Sequence, residues 1–178
     1  MPDDREVWAA ICRRDASVYD AFYREHAPRL RTFLQLIVGE RQTAEDLTQE
    51  TFVQIWKQPN GYDPERGALR AYLFGIGRKR ASEWWRQQRP SDPLPEDWTD
   101  TDRAEVRAMV DDVFRRLPEE HRTLLWLREV EGQSYAELAV TFEIPMGTVR
   151  SRLFTAREAL REAWHSRHPE RERRLYEV

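Results

Sequence analysis

Gln133–Ala163 reads QSYAELAVTFEIPMGTVRSRLFTAREALREA, and its punctuation predicts two helices joined by a tight turn. Ser134 followed by Glu137 has the spacing of a capping box, in which a hydroxyl and a carboxylate satisfy backbone N–H groups reciprocally. Tyr135, Leu138, Ala139 and Phe142 then recur at helical spacing. Pro145 stops that helix or opens the next. Gly147 and Thr148 both offer a start for the second helix, and Thr148 is the better cap. Val149, Leu153, Ala156 and Leu160 follow at steps of four, three and four, so they share one buried face. Arg150, Ser151, Phe154, Thr155, Arg157 and Glu158 fall largely off that face.

This is the layout of a helix-turn-helix, in which one helix props another into the major groove of DNA. Side chains near the start of the second helix are the ones that reach base edges. Arginine can pair bidentately with guanine, and a hydroxyl or a phenyl ring can meet a base edge or a thymine methyl. An amphipathic helical hairpin with a solvated charged face is the alternative reading of the same residues.

Upstream of this hairpin the helical signal continues. Leu124, Leu125, Leu127 and Val130 line one helix, with Pro118 at its first turn and Gly132 at its close. Before it, Val106, Met109, Val110, Val113 and Phe114 form another stripe, starting near Arg103. The hairpin therefore completes a four-helix block, 103–164. The tail SRHPERERRLYEV, 165–178, is charged and expected to fray. Residues 89–102 form a flexible acidic linker with three prolines, too polar to bury a core.

A first block, 1–88, precedes that linker. Val7, Ala10 and Ile11 suggest a short opening helix. Ser17 could cap the next, with Phe22, Leu30, Phe33, Leu34 and Ile37 as core candidates, Pro28 kinking or dividing it and Gly39 ending it. Thr43 then caps AEDLTQETFVQIWK. Ala44, Leu47, Thr51, Phe52 and Ile55 share one face of that helix; Asp46, Gln49, Glu50 and Val53 lie on another. After Lys57 comes a breaker-rich loop, QPNGYDPERG, from Gln58 to Gly67. A long helix follows from Ala68 to about Gln88. Leu69, Tyr72, Leu73, Ile76 and Trp84 look buried, whereas Arg70, Phe74, Arg78, Ala81 and Trp85 point elsewhere. Gly75 and Gly77 weaken this helix by about 1 kcal/mol each relative to alanine, which a close approach to another backbone or to nucleic acid would justify. No strand signal and no internal repeat appears. The predicted fold is all-α, two small helical domains with thin cores joined by the linker.

Charge is distributed unevenly. The net formal charge is -3 over 178 residues, which argues against a uniformly basic nucleic-acid coat. Yet Arg78–Arg89, RKRASEWWRQQR, carries five basic residues against Glu83, and Ser91–Glu105 carries six acidic residues against Arg103. Such a switch of sign marks separate surfaces with separate partners. Cys12 is the only cysteine, so no intramolecular disulfide forms, which fits a reducing compartment. No apolar run approaches the length of a membrane span, so membrane insertion is not expected. The N-terminus, MPDDREVW, is acidic and unlike a signal peptide. A cytoplasmic protein is expected. No paired carboxylates, Ser-His-Asp set, phosphate loop or HExxH motif points to an enzyme or a cofactor. His165 and His168 have i,i+3 spacing but no obvious third ligand, so no metal site is expected.

The two blocks together resemble bacterial RNA polymerase sigma factors of the extracytoplasmic-function class, over about Ser17 to Ala163. The first block is similar to the family's promoter-melting domain through AEDLTQETFVQIW and GALRAYLFGIGRKRASEWWRQQR. The second is similar to its upstream-element domain through LPEEHRTLLWLREVEGQSYAELAV and IPMGTVRSRLFTAREAL. The resemblance implies a protein that binds core RNA polymerase and directs it to promoter DNA, held inactive by an anti-sigma factor. It implies that Asp46, Gln49, Glu50 and Val53 lie where relatives grip the polymerase clamp helices; from the residues alone the same stripe reads as a solvated face. It further implies that Asn60, Tyr62, Asp63, Arg70, Phe74, Arg78, Lys79 and Arg80 handle the minus-ten element. Opening DNA takes a base out of the stack, and a pocket and an aromatic platform recover that cost. Trp84 and Trp85 are expected in the core rather than as such platforms. Thr148, Arg150, Ser151, Arg152, Phe154 and Arg157 match positions that approach minus-thirty-five duplex, with Arg152 on a phosphate or an acidic neighbour.

Three residues depart from the family pattern. Lys79 stands where asparagine is frequent, Glu143 where the helix-turn-helix turn usually has glycine, and Thr155 where arginine is common. A left-handed backbone at Glu143 would cost about 1 kcal/mol. A stand-alone helix-turn-helix regulator would use the hairpin alone, but would carry a ligand or receiver domain in place of the first block.

Overall fold

Asp15 sets the start of the longest helix of the first block. Its carboxylate accepts from the Ser17 and Val18 amides at 3.0 and 3.3 Å, satisfying donors that the first turn leaves over. Those bonds hold its carboxyl below the usual range. The cap is therefore Asp15, two residues ahead of the predicted Ser17. The computed structural model describes residues 3–59, 61–87 and 112–167. Within them run α1 (Asp4–Cys12), α2 (Ala16–Val38), α3 (Arg41–Lys57), α4 (Leu69–Gln87), α5 (Glu119–Glu129), α6 (Tyr135–Phe142) and α7 (Met146–Arg167), and residues 112–116 are helical as well. The fold is all-α in two regions. The linker 89–102, the stripe Val106–Val110 and the tail beyond Arg167 lie outside the described residues.

Several local expectations need correction. Helix α2 runs unbroken through Pro28, whose carbonyl accepts from Thr32 Oγ1 at 3.0 Å. Gly39 ends α2 in the left-handed conformation, φ 80°. Helix α3 starts at Arg41, before Thr43, because Glu40 occupies the cap position and its carboxylate takes the Thr43 hydroxyl at 2.6 Å. Helix α7 starts at Met146, before Thr148, because the Thr148 and Val149 amides already donate to the Pro145 carbonyl. Ala81 is fully buried rather than outward, and Trp85 is exposed, its indole N–H donating to the Ile37 carbonyl at 3.2 Å.

The core is shared between the two regions. Trp126 of α5 sits 5.6 Å from Phe33 of α2 and 6.2 Å from Phe74 of α4, and the two phenylalanines are 5.2 Å apart. Each region alone has a thin interior, so three rings meeting at the seam add apolar burial that neither supplies by itself. Gly75 serves the same seam. A methyl there would stand 3.4 Å from the Thr141 carbonyl oxygen, so glycine lets α4 and α6 approach backbone to backbone. Thr141 Oγ1 lies within bonding distance of the Ala71 carbonyl, 3.2 Å, and of the Gln133 side chain, 3.0 Å. Among the described residues no helix is long and apolar enough to cross a membrane.

Candidate functional site

Helix α3 buries Ala44, Leu47, Thr51, Phe52 and Ile55 and turns the opposite stripe outward. Asp46, Gln49 and Glu50 are exposed, and Val53 is 46% exposed. An apolar side chain so open beside two carboxylates makes a surface with both grip and charge. Gln42 donates to Asp46 at 3.2 Å. Arg80 donates to Glu50 at 2.7 Å and to Gln54 at 3.1 and 2.9 Å. Arg80 thus braces α4 against α3 and stands apart from the other cations of α4.

The loop after α3 folds back under α1. Trp8 lies 5.1 Å from Tyr62 and 5.9 Å from Tyr72, ring edge to ring face. The Tyr62 hydroxyl donates to the Gly67 carbonyl at 2.9 Å; burial, with the Asp4 and Asp3 carboxylates adding to it, pushes its pKa up to about 12. Asp63 is exposed and accepts from the Glu65 amide at 3.0 Å. Tyr62, Asp63, Arg66, Tyr72 and Lys79 line a cavity of about 220 Å³, over which Val140 and Glu143 of the second region close. Asn60 lies outside the described residues.

Helix α4 carries Arg70, Arg78 and Lys79 toward α6. Arg70 binds Glu137 through two parallel bonds, Nε to Oε1 at 2.7 Å and a terminal nitrogen to Oε2 at 3.0 Å, and donates to the Glu131 carbonyl at 3.3 Å. Such forked pairs are among the stronger charge-assisted bonds. Burial pushes the Glu137 carboxyl up, but Arg70 and the Ser134 cap outweigh it and hold it below its usual value; Glu137 in turn raises Arg70. Arg78 stacks 4.8 Å above the Phe142 ring and reaches its carbonyl at 3.5 Å. Lys79 donates to Glu143 at 2.6 Å. Phe74, expected outward as an aromatic platform, is 1% exposed. Trp126 and Phe33 enclose it, a burial that periodicity within α4 alone could not reveal.

The outward face of α7 differs. Arg150 and Ser151 are exposed and Phe154 is 67% exposed. Val149, Leu153 and Ala156 are fully buried behind them. Ser151 Oγ donates to the Thr148 carbonyl at 3.0 Å. Arg152 pairs with Glu120, the acidic-neighbour alternative, and Arg157 donates to Glu129 at 2.8 Å. Glu143 caps α6 at φ 55°, ψ 42°, so the left-handed turn is made without glycine.

Two regions of the chain match family models described as Sigma-70 region 2, over residues 22–90, and Sigma-70, region 4, over residues 107–160. The RNA polymerase sigma-H factor of Pseudomonas aeruginosa is 30% identical over 90% of this chain and 93% of its own length. The ECF RNA polymerase sigma factor RpoE of Cereibacter sphaeroides is 28% identical over 89% and 96%. The chain belongs to the ECF sigma factors. Its fold as a sigma factor is shared with CnrH, solved with the cytosolic domain of CnrY, at TM-score 0.72 and 22% identity over 92% of this chain and 97% of that one. RpoE of Bartonella quintana, solved with the anti-sigma factor NepR, gives 0.64 and 22% over 82% and 95%. Within this sigma factor, reading the sequence did not reveal Glu131, Glu137 and Glu143 as partners of the α4 cations. Glu137 was legible only as a helix cap, and nothing in its spacing pointed to Arg70, 67 residues away.

Proposed function

We propose that this sigma factor binds core RNA polymerase and directs it to promoters carrying minus-ten and minus-thirty-five elements, acting in the cytoplasm without catalysis or cofactor. The observation that carries the reading is the pairing of two sigma regions in one chain with an outward polar and apolar stripe on α3 and an outward basic and aromatic face on α7.

In this reading Asp46, Gln49, Glu50 and Val53 meet basic and apolar groups on a polymerase helix. Arg150, Ser151 and Phe154 enter the major groove, with Arg150 poised for a guanine edge. Arg157 and Thr148 flank them, and Arg152 holds α7 on α5. Residues 1–88 and 103–164 act as the two functional units, and 89–102 and 165–178 as linker and tail. The loop with Tyr62 and Asp63 supplies the pocket for an extruded base, and Arg70, Arg78 and Lys79 supply cations for the separated strand's phosphates. An anti-sigma factor is expected as the regulator, in keeping with the partner of the Bartonella structure.

The test is run-off transcription with purified core polymerase on genomic DNA, followed by sequencing of transcript starts. Discrete starts sharing upstream motifs are expected. Specific duplex binding without polymerase-dependent initiation would favour a stand-alone regulator instead.

A further inference from the structure

Trp8 of α1 is buried and lies behind the loop cavity rather than in its wall. Its indole stands 5.1 Å from the Tyr62 ring and 5.9 Å from the Tyr72 ring, and those two rings are 5.6 Å apart. Both tyrosines line the cavity.

The rest of α1 and the turn after it aim at the same loop. The Asp4 carboxylate accepts from the Leu69 amide at 2.8 Å, where the loop passes into α4. Arg5 pairs with Glu65 within the loop. Cys12 Sγ donates to the Pro59 carbonyl at 3.6 Å. Arg14 donates to the Lys57 carbonyl at 3.4 Å and lies over the Trp56 ring at 5.3 Å. It does so from a left-handed backbone, φ 64°, which costs free energy for any residue with a side chain. Ala10 and Ile11 are buried, and α1 packs on α2. One face of α1 thus anchors it, while its polar and aromatic groups reach the entry, body and exit of one loop. The match to Sigma-70 region 2 begins at residue 22, so this strap lies ahead of the part that the family model covers.

We propose that α1 is a positioning element for strand capture, in which Trp8 holds the Tyr62 and Tyr72 rings as a fixed platform for the extruded base and never touches the DNA itself. This rests on the functional reading above and adds a residue to it.

The physical reason is the loop's own composition. Gln58–Gly67 holds two prolines and two glycines, a stretch with little intrinsic order. A base stacking on loosely held rings would have to order them first, and that entropy would be subtracted from the stacking gain. Trp8 removes part of this cost in advance. Its contacts are edge to face, at 67° and 86°, so they fix ring angle as well as distance. The Tyr62 hydroxyl is tied to the Gly67 carbonyl, which pins that ring at its other end. A methyl on Gly61 would overlap the Tyr72 hydroxyl, so the loop backbone lies directly against the second ring. Were α1 mere packing, a change at Trp8 would weaken every activity alike. Positioning acts on strand opening alone, because the α3 stripe and the outward face of α7 lie elsewhere.

The experiment uses holoenzyme assembled from the full chain and core polymerase, on a promoter duplex from which the parent initiates. Trp8→Leu keeps apolar volume without a ring, and Trp8→Phe keeps a ring. Closed-complex affinity is measured at low temperature, and opening by the rate at which melted thymines become reactive to permanganate. Abasic sites are placed singly along the non-template strand; in the parent, one position should slow opening when its base is removed. Trp8→Leu should slow opening about tenfold, the scale of one lost base stack, with closed-complex affinity unchanged. It should also erase the effect of the abasic site at that position, and Trp8→Phe should restore both. Opening at the parent rate, an abasic effect that persists in Trp8→Leu, or closed-complex affinity falling in step with opening would overturn the positioning role. Should Trp8→Leu not fold, Asp4→Ala, which frees the loop's exit, is read in the same way. A parent holoenzyme that never initiates would remove the sigma reading and this inference with it, an outcome distinct from the other three.

Discussion

Arg80 of α4 reaches α3, where its guanidinium donates to the Glu50 carboxylate at 2.7 Å and to the Gln54 amide oxygen at 3.1 and 2.9 Å. One side chain thereby joins the helix proposed to grip DNA to the helix proposed to grip polymerase. Glu50 is held in place for a partner by a residue that read, in sequence, as a phosphate contact. Arg80→Ala is expected to lower stability by about 1 kcal/mol, since the site is partly exposed, and to weaken core polymerase binding by freeing Glu50. Urea unfolding and competition for core enzyme measure the two effects. Loss of DNA affinity with unchanged polymerase binding would return Arg80 to the DNA surface.

Val53 offers the cleaner probe of the stripe, because it is exposed and forms no tie to α4. Val53→Asp should leave the unfolding midpoint unchanged and reduce polymerase competition severalfold. An equal competitor would mean that α3 presents only a solvated face.

Arg150 is exposed at the start of α7. Arg150→Ala should reduce promoter affinity by about 1–3 kcal/mol and relax preference at one base pair, if the guanidinium pairs with guanine. Binding measured across a set of single-base variants of the duplex decides it. A uniform loss across all variants would reassign Arg150 to a phosphate.

Trp126 lies at the seam. Trp126→Ala should cost about 3–5 kcal/mol in a chemical denaturation series, the range for deleting a large buried ring. Because its neighbours Phe33 and Phe74 belong to the other region, the loss should also separate one unfolding transition into two.

Glu131 is nearly buried, with Arg29 3.5 Å away. Burial raises its carboxyl above the usual value, and Arg29 offsets only part of that. An acid raised in the folded state adds stability below its unfolded pKa and forfeits it as pH climbs through the folded one. Glu131→Gln should therefore raise the melting temperature at neutral pH and flatten its pH dependence over the mildly acidic range. A lower melting temperature at pH 7 would show that Arg29 outweighs burial.

Much of this was legible in the chain. The capping box at Ser134 and Glu137, the four-three-four spacing from Val149 to Leu160 and the breaker-rich loop after Lys57 each placed an element within a residue or two. Helix starts slipped where two polar residues competed for one cap, as at Asp15 against Ser17 and Glu40 against Thr43. Phe74 and Ala81 failed for another reason. Helical periodicity assigns one buried face to α4, but α4 is packed on more than one side, by α2, α3 and α6. The pairing of Lys79 with Glu143 has no local signal at all, since 64 residues separate them. Two oddities noted independently in the sequence turned out to explain each other.

Helix α4 begins with an acceptor borrowed from far upstream: the Leu69 amide donates to the Asp4 carboxylate at 2.8 Å, 65 residues earlier in the chain. During synthesis, the opening helix must therefore wait for α2, α3 and the loop before its carboxylate finds its mate. Closing so long a circuit is slow relative to helix formation. Nascent chains should pass through a stage with α2 and α3 paired and the front end unfastened, a window in which proteases or chaperones could meet it.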